Sequence, residues 1–574
     1  MTEMDTPVDY DRGNSRWGSD VVAETLRDLD IPYIALNPGS SYRGLHDSIV
    51  NHLGNQKPHI ILCIHEETAA HIAHGYAKVT EKPLAVGFHA NVGLLHGSLG
   101  LFNAFNERVP MVVMGATGPL DAAKRRPWID WVHTTLDQAD MVRGFVKYAD
   151  QPASPTAARW ALIHAYTRAM TAPAGPTYVI LDVDLQEDEI GEELPPLDIS
   201  RFAPPQPARP DDALIDETAE ILSSAKRPLI LMGRTSRRQE DWDRRVALAE
   251  KLNARVISDF KISASFPTRH PLHVTQVGVS SAAAVAAVKD SDAILCLEWI
   301  DVGSLLRAAF GSDDAAAKVI KVSVDQHVHS GMGQDHYSPY PADVNFLNES
   351  DAVARALADK LGAGAPTYTA PANPELPEVT ETGPIRFPVA AQVLKRTMAG
   401  RKPALLRLPL LAGYGCFDFD GPLNYFGLDG GGGIGSGVGM AIGGALAIRD
   451  LNNGMLPVAV LGDGDFAMGV SAIWTAARFN IPLLVVIHNN RAFFNDVVHQ
   501  GRIAEARRRP VENRFIGQAI SHPDILLADM AVAQGASGFG PIERVEDLES
   551  AFKDAIAVVE GGGVAVVDVH CVED

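Results

Sequence analysis

Val458-Ala459-Val460-Leu461-Gly462-Asp463-Gly464-Asp465-Phe466 opens the stretch that decides the fold, and Asn489-Asn490 close it. Between them lie VSAIWTAARFNIP and the run LLVVI. Val458 to Leu461 is a short apolar run that stops at a glycine turn, which predicts a strand. Val470 to Phe479 carries apolar residues at helical spacing. Leu483 to Ile487 is a second strand, β-branched at Val485, Val486 and Ile487. Two strands joined by a crossover helix lie parallel and side by side. Asp463 and Asn490 therefore fall together, each just past the carboxyl end of its strand, where open α/β sheets bind ligands.

The residue types at that edge suit one task. Asp463 offers an anionic oxygen, Asn490 an amide oxygen, and the backbone carbonyl of Ala492 a third donor. Three such oxygens, completed by phosphate and water, make the octahedron Mg²⁺ prefers. Gly462 and Gly464 let backbone amides approach an anion, and a helix N-terminus follows. Asp465 sits in the same turn. A plain βαβ unit with a polar loop is the alternative for GDG alone, and the paired asparagines 27 positions on argue against it.

GDG, a helix, then NN resembles the fingerprint of thiamine diphosphate enzymes, and two further segments strengthen the resemblance. In CIHEETAAHIAHGYAKVTEKP, Glu66 stands nine positions before Gly75, the spacing of the family's activating glutamate to its Gly-Tyr-Ala helix. A carboxyl there must meet the coenzyme's aminopyrimidine in a poorly solvated place. Glu67 would face elsewhere. An exposed acidic helix start is the ordinary reading of such a pair, but ILCI leads into it like a buried strand. In GLDGGGGIGSGVGMAIGGALAI, Ile434 matches the bulky residue over which the family bends the coenzyme, and the carbonyl of Gly432 its acceptor for the pyrimidine amino group. A flexible glycine linker would not run into so apolar a helix.

Length and composition agree. A chain of 574 residues is too long for one domain. A net charge of −21, from 50 basic and 71 acidic residues, argues against nucleic acid and anionic membranes as partners. Lys124-Arg125-Arg126 and Arg507-Arg508-Arg509 read as solvated loops, though the second could hold an anionic tail such as coenzyme A phosphates. The cysteines, at 63, 296, 416 and 571, form no CxxC pair and imply neither a disulfide framework nor a zinc site. No apolar run reaches spanning length. The polar, acidic start MTEMDTPVDYDRGNSRWGSD is unlike a signal peptide, so a reducing cytoplasm is expected.

Proline-rich LPPLDISRFAPPQPARP and the loose segment near 362 to 384 read as linkers. They divide the chain into α/β domains at 1–192, 210–362 and 385–574. The expected architecture is three doubly wound parallel-sheet domains: pyrimidine-binding, middle and pyrophosphate-binding, the order of the acetolactate synthase and pyruvate decarboxylase group. The middle strand LILMG runs into Arg234-Thr235 without a GxGxxG, so no FAD or ADP is expected there.

The chain most resembles the benzoylformate decarboxylase branch. LNPGSS puts Ser40 on that branch's substrate-binding serine. FHANVG puts His89 on a catalytic histidine, 23 positions after Glu66. A satisfied core histidine is the plainer reading of His89. The GPGATN run usual in acetolactate synthases is absent. CLEWIDVG offers Glu298 and Asp301 where the branch has a second histidine. Asn495 and His499 stand where it has small or aromatic residues, and His499 either replaces the lost proton donor or flanks the pocket. LRLPLLAG, near 406 to 413, lacks the hydroxyls that often hold diphosphate.

The resemblance thus implies thiamine diphosphate with Mg²⁺ and a small-molecule 2-oxo acid or hydroxyketone substrate. It implies C–C cleavage through a C2 carbanion and an enamine, in the manner of a decarboxylase or lyase. An acetolactate synthase-type carboligase and a 2-hydroxyacyl-CoA lyase are the alternatives. It also implies a homodimer or homotetramer in which Glu66 and Asp463 meet across a subunit interface.

Overall fold

The computed structural model describes residues 5–9, 16–190, 194–274, 281–312, 315–325, 340–371, 378–409 and 414–573. The first domain carries β1 (Tyr33–Leu36), β2 (His59–Leu62), β3 (Ala85–Phe88), β4 (Met111–Thr117), β5 (Ala149–Asp150) and β6 (Pro176–Asp182). The middle domain carries β7 (Pro228–Met232), β8 (Arg255–Ser258), β9 (Ala293–Leu297), β10 (Lys318–Val322) and β11 (Val344–Phe346). The last carries β12 (Lys402–Arg407), β13 (Met455–Gly462), β14 (Leu483–Asn489), β15 (Ser537–Ile542) and β16 (Val564–His570). The sheet orders are β2-β1-β3-β4-β6-β5, β11-β10-β9-β7-β8 and β12-β13-β14-β16-β15. The ladders β1·β3, β7·β9 and β13·β14 are all parallel, as are their neighbours. The chain thus has the three parallel-sheet α/β domains expected.

Apolar residues run continuously along these strands because both faces are covered. In β13, Val458 and Val460 point into a core shared with the middle domain. Ala459 and Leu461 point into a core shared with the first domain. The last domain is therefore packed on both sides by the rest of the chain. β1 splits likewise: Ala35 joins the shared core, while Ile34 and Leu36 face a separate core of the first domain.

The shared core is closed by two helices, Glu66–Thr80 from the first domain and Gly437–Leu451 from the last. Their backbones touch. A Cβ on Gly75 would stand 2.0 Å from the Met440 carbonyl oxygen, and one on Gly443 1.9 Å from that of Ile72. Glycine is required at both points so that the helices can approach.

The segment between β13 and β14 departs from expectation in one respect. The helix begins at Asp463, with Gly462 as its cap, seven residues earlier than the apolar periodicity indicates. It pauses at Val470-Ser471 and resumes as Ala472–Arg478. Asp463 and Asp465 both lie in its first turn, where the helix dipole favours acids.

Candidate active site

Asp463 and Asn490 are brought together by a single backbone amide. The Ala492 N–H lies 3.2 Å from Asp463 Oδ2 and 3.2 Å from Asn490 Oδ1. Asp463 Oδ1 accepts from the Gly464 N–H at 2.7 Å. The Ala492 carbonyl accepts from Phe494 N–H at 2.8 Å and keeps its second lone pair. Asn489, the first asparagine of the pair, does other work. Its amide holds Asp568 at 2.9 Å while its oxygen accepts from Arg491 N–H, which fixes the turn.

Charge is out of balance at this edge. Asp463 is 6% exposed. Burial pushes its carboxyl above the usual range, and only backbone donors and His488 oppose that. Buried Asp568 is raised too, by burial and in part by Asp463. Glu573 accepts from Asn490 Nδ2 at 2.8 Å and pairs with His488 at 2.8 Å. The Asp463 carboxylate, the Asn490 amide oxygen and the Ala492 carbonyl are hard oxygens of the kind a divalent cation takes, while Asp568 and Glu573 stand behind them, bonded to Asn489 and Asn490. Asp568 and Glu573 were not foreseen; both come from the C-terminal VDVHCVED, far along the chain.

The glycine-rich loop is pinned by Asp465. Asp465 Oδ1 accepts from Gly435 N–H at 2.7 Å and Gly437 N–H at 3.0 Å. Asp429, at the other end of the loop, accepts from the Ser436 hydroxyl at 3.1 Å. Arg407, at the end of β12, ties the two acids. Its guanidinium is 2.6 Å from Asp429 and 3.6 Å from Asp465. It holds the Asp429 carboxyl below the usual range against the opposing effect of burial. The expectation for LRLPLLAG looked for hydroxyls and passed over this arginine; residues 410–413 of that segment lie outside the described residues.

Ile434 is partly exposed at the crest of the loop, and Gly432 takes a left-handed φ of 69°. Gly464 is tightly placed. Its amide is occupied by Asp463, and a Cβ there would stand 2.5 Å from the Phe493 ring, so this glycine serves close packing. A cavity of about 530 Å³ opens beside the loop, lined by Gly430–Gly432, Asp259, Lys261, Trp299 and Asp301. Asp301 caps the helix Val302–Phe310 on its rim. Glu298 turns away, held by Arg234 at 3.2 Å and by the Val324 amide, and burial pushes its carboxyl up to about 7.

On the first-domain side, Glu66 is the first residue of its helix and is buried at 6% exposure. His65 caps the helix, its Nδ1 accepting from Glu67 N–H at 3.2 Å. Glu67 turns toward the last domain: its carboxyl is raised chiefly by burial and also by Asp465. Glu66 Oε2 lies 3.1 Å from His96 Nδ1. His96 was not foreseen, because a histidine 30 positions away on another helix has no local signal.

His89 caps the helix Ala90–Glu107 just past β3. Burial lowers its pKa, the neighbouring His133 lowers it further, and the charge of Glu66 opposes them. It is therefore a neutral imidazole near pH 7, able to accept a proton. The hydroxyl it meets belongs to Ser41, with Oγ 2.7 Å from Nδ1, while Ser40 is exposed. The two serines part because Ser40–Tyr42 is a 3₁₀ turn, in which adjacent side chains diverge. On the other side, Asn495 is half-buried and His499 exposed, four residues apart on the helix Phe494–Ala506.

Family models for thiamine pyrophosphate enzymes match all three domains. The N-terminal TPP binding domain matches residues 16–141, the central domain 215–341 and the C-terminal TPP binding domain 411–569. A sulfoacetaldehyde acetyltransferase of Alcaligenes xylosoxydans xylosoxydans is 25% identical over 90% of this chain and 87% of its own. A benzoylformate decarboxylase of Pseudomonas aeruginosa is 25% identical over 75% of this chain and 79% of its own. The crystal structure of benzoylformate decarboxylase from Polynucleobacter necessarius has the same fold. It shows a TM-score of 0.77 and 21% identity, covering 97% of this chain and 99% of that one. With its three domains matched in order, this chain belongs to the thiamine pyrophosphate enzyme family and is an enzyme of thiamine diphosphate.

Proposed function

We propose that this enzyme cleaves a carbon–carbon bond beside the carbonyl of a 2-oxo acid or an acyloin-type hydroxyketone, as a decarboxylase or lyase. One observation carries the reading: buried Glu66 and the neutral imidazole of His89 lie near one another on the first-domain side. Asp463 and Asn490 gather oxygen donors on the other. When bound, thiamine diphosphate supplies a carbon nucleophile and an electron sink. In this reading Mg²⁺ is held by Asp463, Asn490 and the Ala492 carbonyl. The loop through Gly432 and Ile434, braced by Asp465, shapes the bound coenzyme. Glu66 exchanges a proton with its pyrimidine. His89, steadied by the Ser41 hydroxyl, takes a proton from or returns it to the substrate. A histidine that takes a proton and then returns it favours release of an aldehyde over capture by a second carbonyl compound.

A second reading has its own support. The acetyltransferase relative, matched along 90% of this chain, carries out a transfer by its name, so a carboligase or acyltransferase outcome stands as the alternative. Incubation of the coenzyme-loaded enzyme with 2-oxo acids and acyloins, followed by product analysis, decides between them. Aldehyde supports the lyase. Acetolactate from pyruvate alone, or acyl phosphate when phosphate is added, replaces it. A chain whose tryptophan fluorescence ignores thiamine diphosphate with Mg²⁺ overturns the proposed binding site.

We also place the enzyme in a reducing cytoplasm, as a homodimer or homotetramer. Its four cysteines are free thiols. Among the described residues no helix is long and apolar enough to cross a membrane. Trp131 and Leu136, 79% and 98% exposed in the same segment, mark an apolar surface suited to a second copy. Sedimentation at working concentration tests the assembly.

A further inference from the structure

The glycine-rich loop is held at its far end by Asp465, from its own domain. Its near end is held by the first domain, through side chains that the proposed function leaves unused. Gly431 N–H donates to Asn103 Oδ1 at 3.0 Å, on the helix Ala90–Glu107. The Asn103 amide nitrogen lies 3.1 Å from His71 Nε2, on the helix Glu66–Thr80. Asn103 is 0% exposed and His71 1%, so the surroundings of both are complete within one chain. The loop is shaped to this contact. A Cβ on Gly431 would stand 2.3 Å from Asn103 Oδ1, and one on Gly430 2.6 Å from the Asn103 carbonyl oxygen. Just upstream, the Leu428 carbonyl accepts from Lys78, whose ammonium Glu107 holds at 2.7 and 2.9 Å.

The first bond fixes the direction of the rest. A backbone N–H only donates, so the Asn103 oxygen faces the loop and its NH₂ group faces His71. His71 Nε2 must then accept, which puts the ring proton on Nδ1. The nearest carboxylate oxygen on that side, from Glu67, is 3.8 Å away. Burial and the neighbouring His74 push the His71 pKa down to about 3, so the ring stays neutral at working pH.

We propose that Asn103 and His71 are positioning residues for the coenzyme loop. His71 fixes the Asn103 amide, and Asn103 seats Gly431 and so aims the neighbouring Gly432 carbonyl. The inference rests on the reading of that carbonyl as the acceptor for the pyrimidine amino group of the coenzyme. A displaced carbonyl leaves the diphosphate and metal contacts intact but no longer meets the amino group at bonding distance and angle.

Two ligands separate aiming from support: thiamine diphosphate and its analogue lacking the pyrimidine amino group, each with Mg²⁺ and each measured by fluorescence quenching. Asn103→Ala should lower coenzyme affinity by about tenfold and analogue affinity by less than about twofold. His71→Leu, which offers Asn103 no acceptor, should behave alike. His71→Gln, whose amide oxygen can accept where Nε2 does, should stay within about twofold of the parent for both ligands. Equal losses for the two ligands in Asn103→Ala make Asn103 a mere support and overturn the proposal, as does no loss for either. A His71→Gln variant as impaired as His71→Leu overturns the part given to His71.

The second measurement uses the parent chain without coenzyme, so it stands even where a variant fails to fold. Side-chain ¹⁵N NMR should find His71 protonated at Nδ1 alone. An Nε2–H tautomer overturns the proposal. The underlying reading fails separately. A parent that binds coenzyme and analogue equally removes the Gly432 carbonyl as acceptor. A parent that prefers the coenzyme, beside an Asn103→Ala variant that keeps the whole preference, removes only the brace.

Discussion

Glu66 and Asp463 are built alike and furnished differently. Each is a buried carboxylate at the first residue of a helix that follows a parallel strand, β2 in one domain and β13 in the other. Asp463 is held by backbone amides of Gly464 and Ala492, and it shares its surroundings with two further acids. Glu66 is held by a histidine side chain. Backbone donors around a surplus of negative charge suit a permanent cation. A titratable donor suits a travelling proton. In the proposed function the same strand-to-helix corner serves these two tasks, and the partner of the carboxylate decides which.

The largest expected effect tests that division directly. Glu66→Gln keeps the shape and removes the exchangeable charge, so kcat should fall by about 10²–10⁴-fold. Affinity for thiamine diphosphate with Mg²⁺, read by fluorescence quenching, should stay within a few-fold. A parallel loss of affinity would mean that Glu66 is a binding residue like Asp463, and the contrast would be gone.

Asp463→Asn should give the opposite pattern, with Mg²⁺ affinity reduced by about 100-fold or more and kcat at saturating metal much less affected. The contrast also has a pH signature. Burial raises the Asp463 carboxyl above its unfolded value, so without metal the folded state keeps this proton longer than the unfolded chain. Its contribution to stability is therefore lost as pH rises from the unfolded value, about 3.9, through the raised folded value. Mg²⁺ competes with that proton. Its affinity should rise across the same window, and the stabilisation it gives in thermal melts should be greatest above it. A Tm gain from Mg²⁺ that is equally large below the window would remove Asp463 from the metal site.

Much of this was legible in the sequence. Runs such as VAVL and LLVVI read as strands because strands covered on both faces need apolar side chains on both. The 27-residue interval from Asp463 to Asn490 follows from one strand–helix–strand unit. Glu66 was legible because its helix continues to Gly75, where only glycine allows the contact with Met440. Contributions from distant elements were not. His96, Arg407, Asp568 and Glu573 each reach the site from another segment, and nothing near them in sequence marks the meeting. The Ser41–His89 contact was not legible, because a 3₁₀ turn decides which of two adjacent serines meets the imidazole. The helix start at Asp463 was read late because its first turn is acidic and glycine-rich, without the apolar spacing that announces a helix.

Arg407 offers a smaller and sharper test, since it braces the loop between the two corners without belonging to either. Arg407→Met leaves Asp429 and Asp465 buried without their shared cation, which should cost about 3 kcal/mol of stability. The loop through Ile434 would loosen, and coenzyme affinity should fall by about tenfold while the Glu66-dependent exchange step keeps its rate at saturation. Arg407→Lys should recover part of the stability and less of the affinity, because an ammonium is a point charge and cannot fork between two carboxylates. Equal recovery of both would make the contribution of Arg407 purely coulombic.

The smallest effect belongs to His499, which separates the geometry of the chain from its resemblance to the decarboxylases. By position it stands where that branch has small or aromatic residues; by structure it is exposed on the helix Phe494–Ala506, while Asn495, one turn earlier, is half-buried. An exposed histidine has no desolvated contact through which to steer a proton, whereas His89 is already in place against Ser41. His499→Ala should therefore change kcat/KM by less than about twofold and leave its pH profile in place, while His89→Ala should lower kcat by about 10²-fold or more. A His499→Ala variant as impaired as His89→Ala would show that the helix Phe494–Ala506 closes over the substrate during turnover, bringing an exposed side chain into the site only when it is filled.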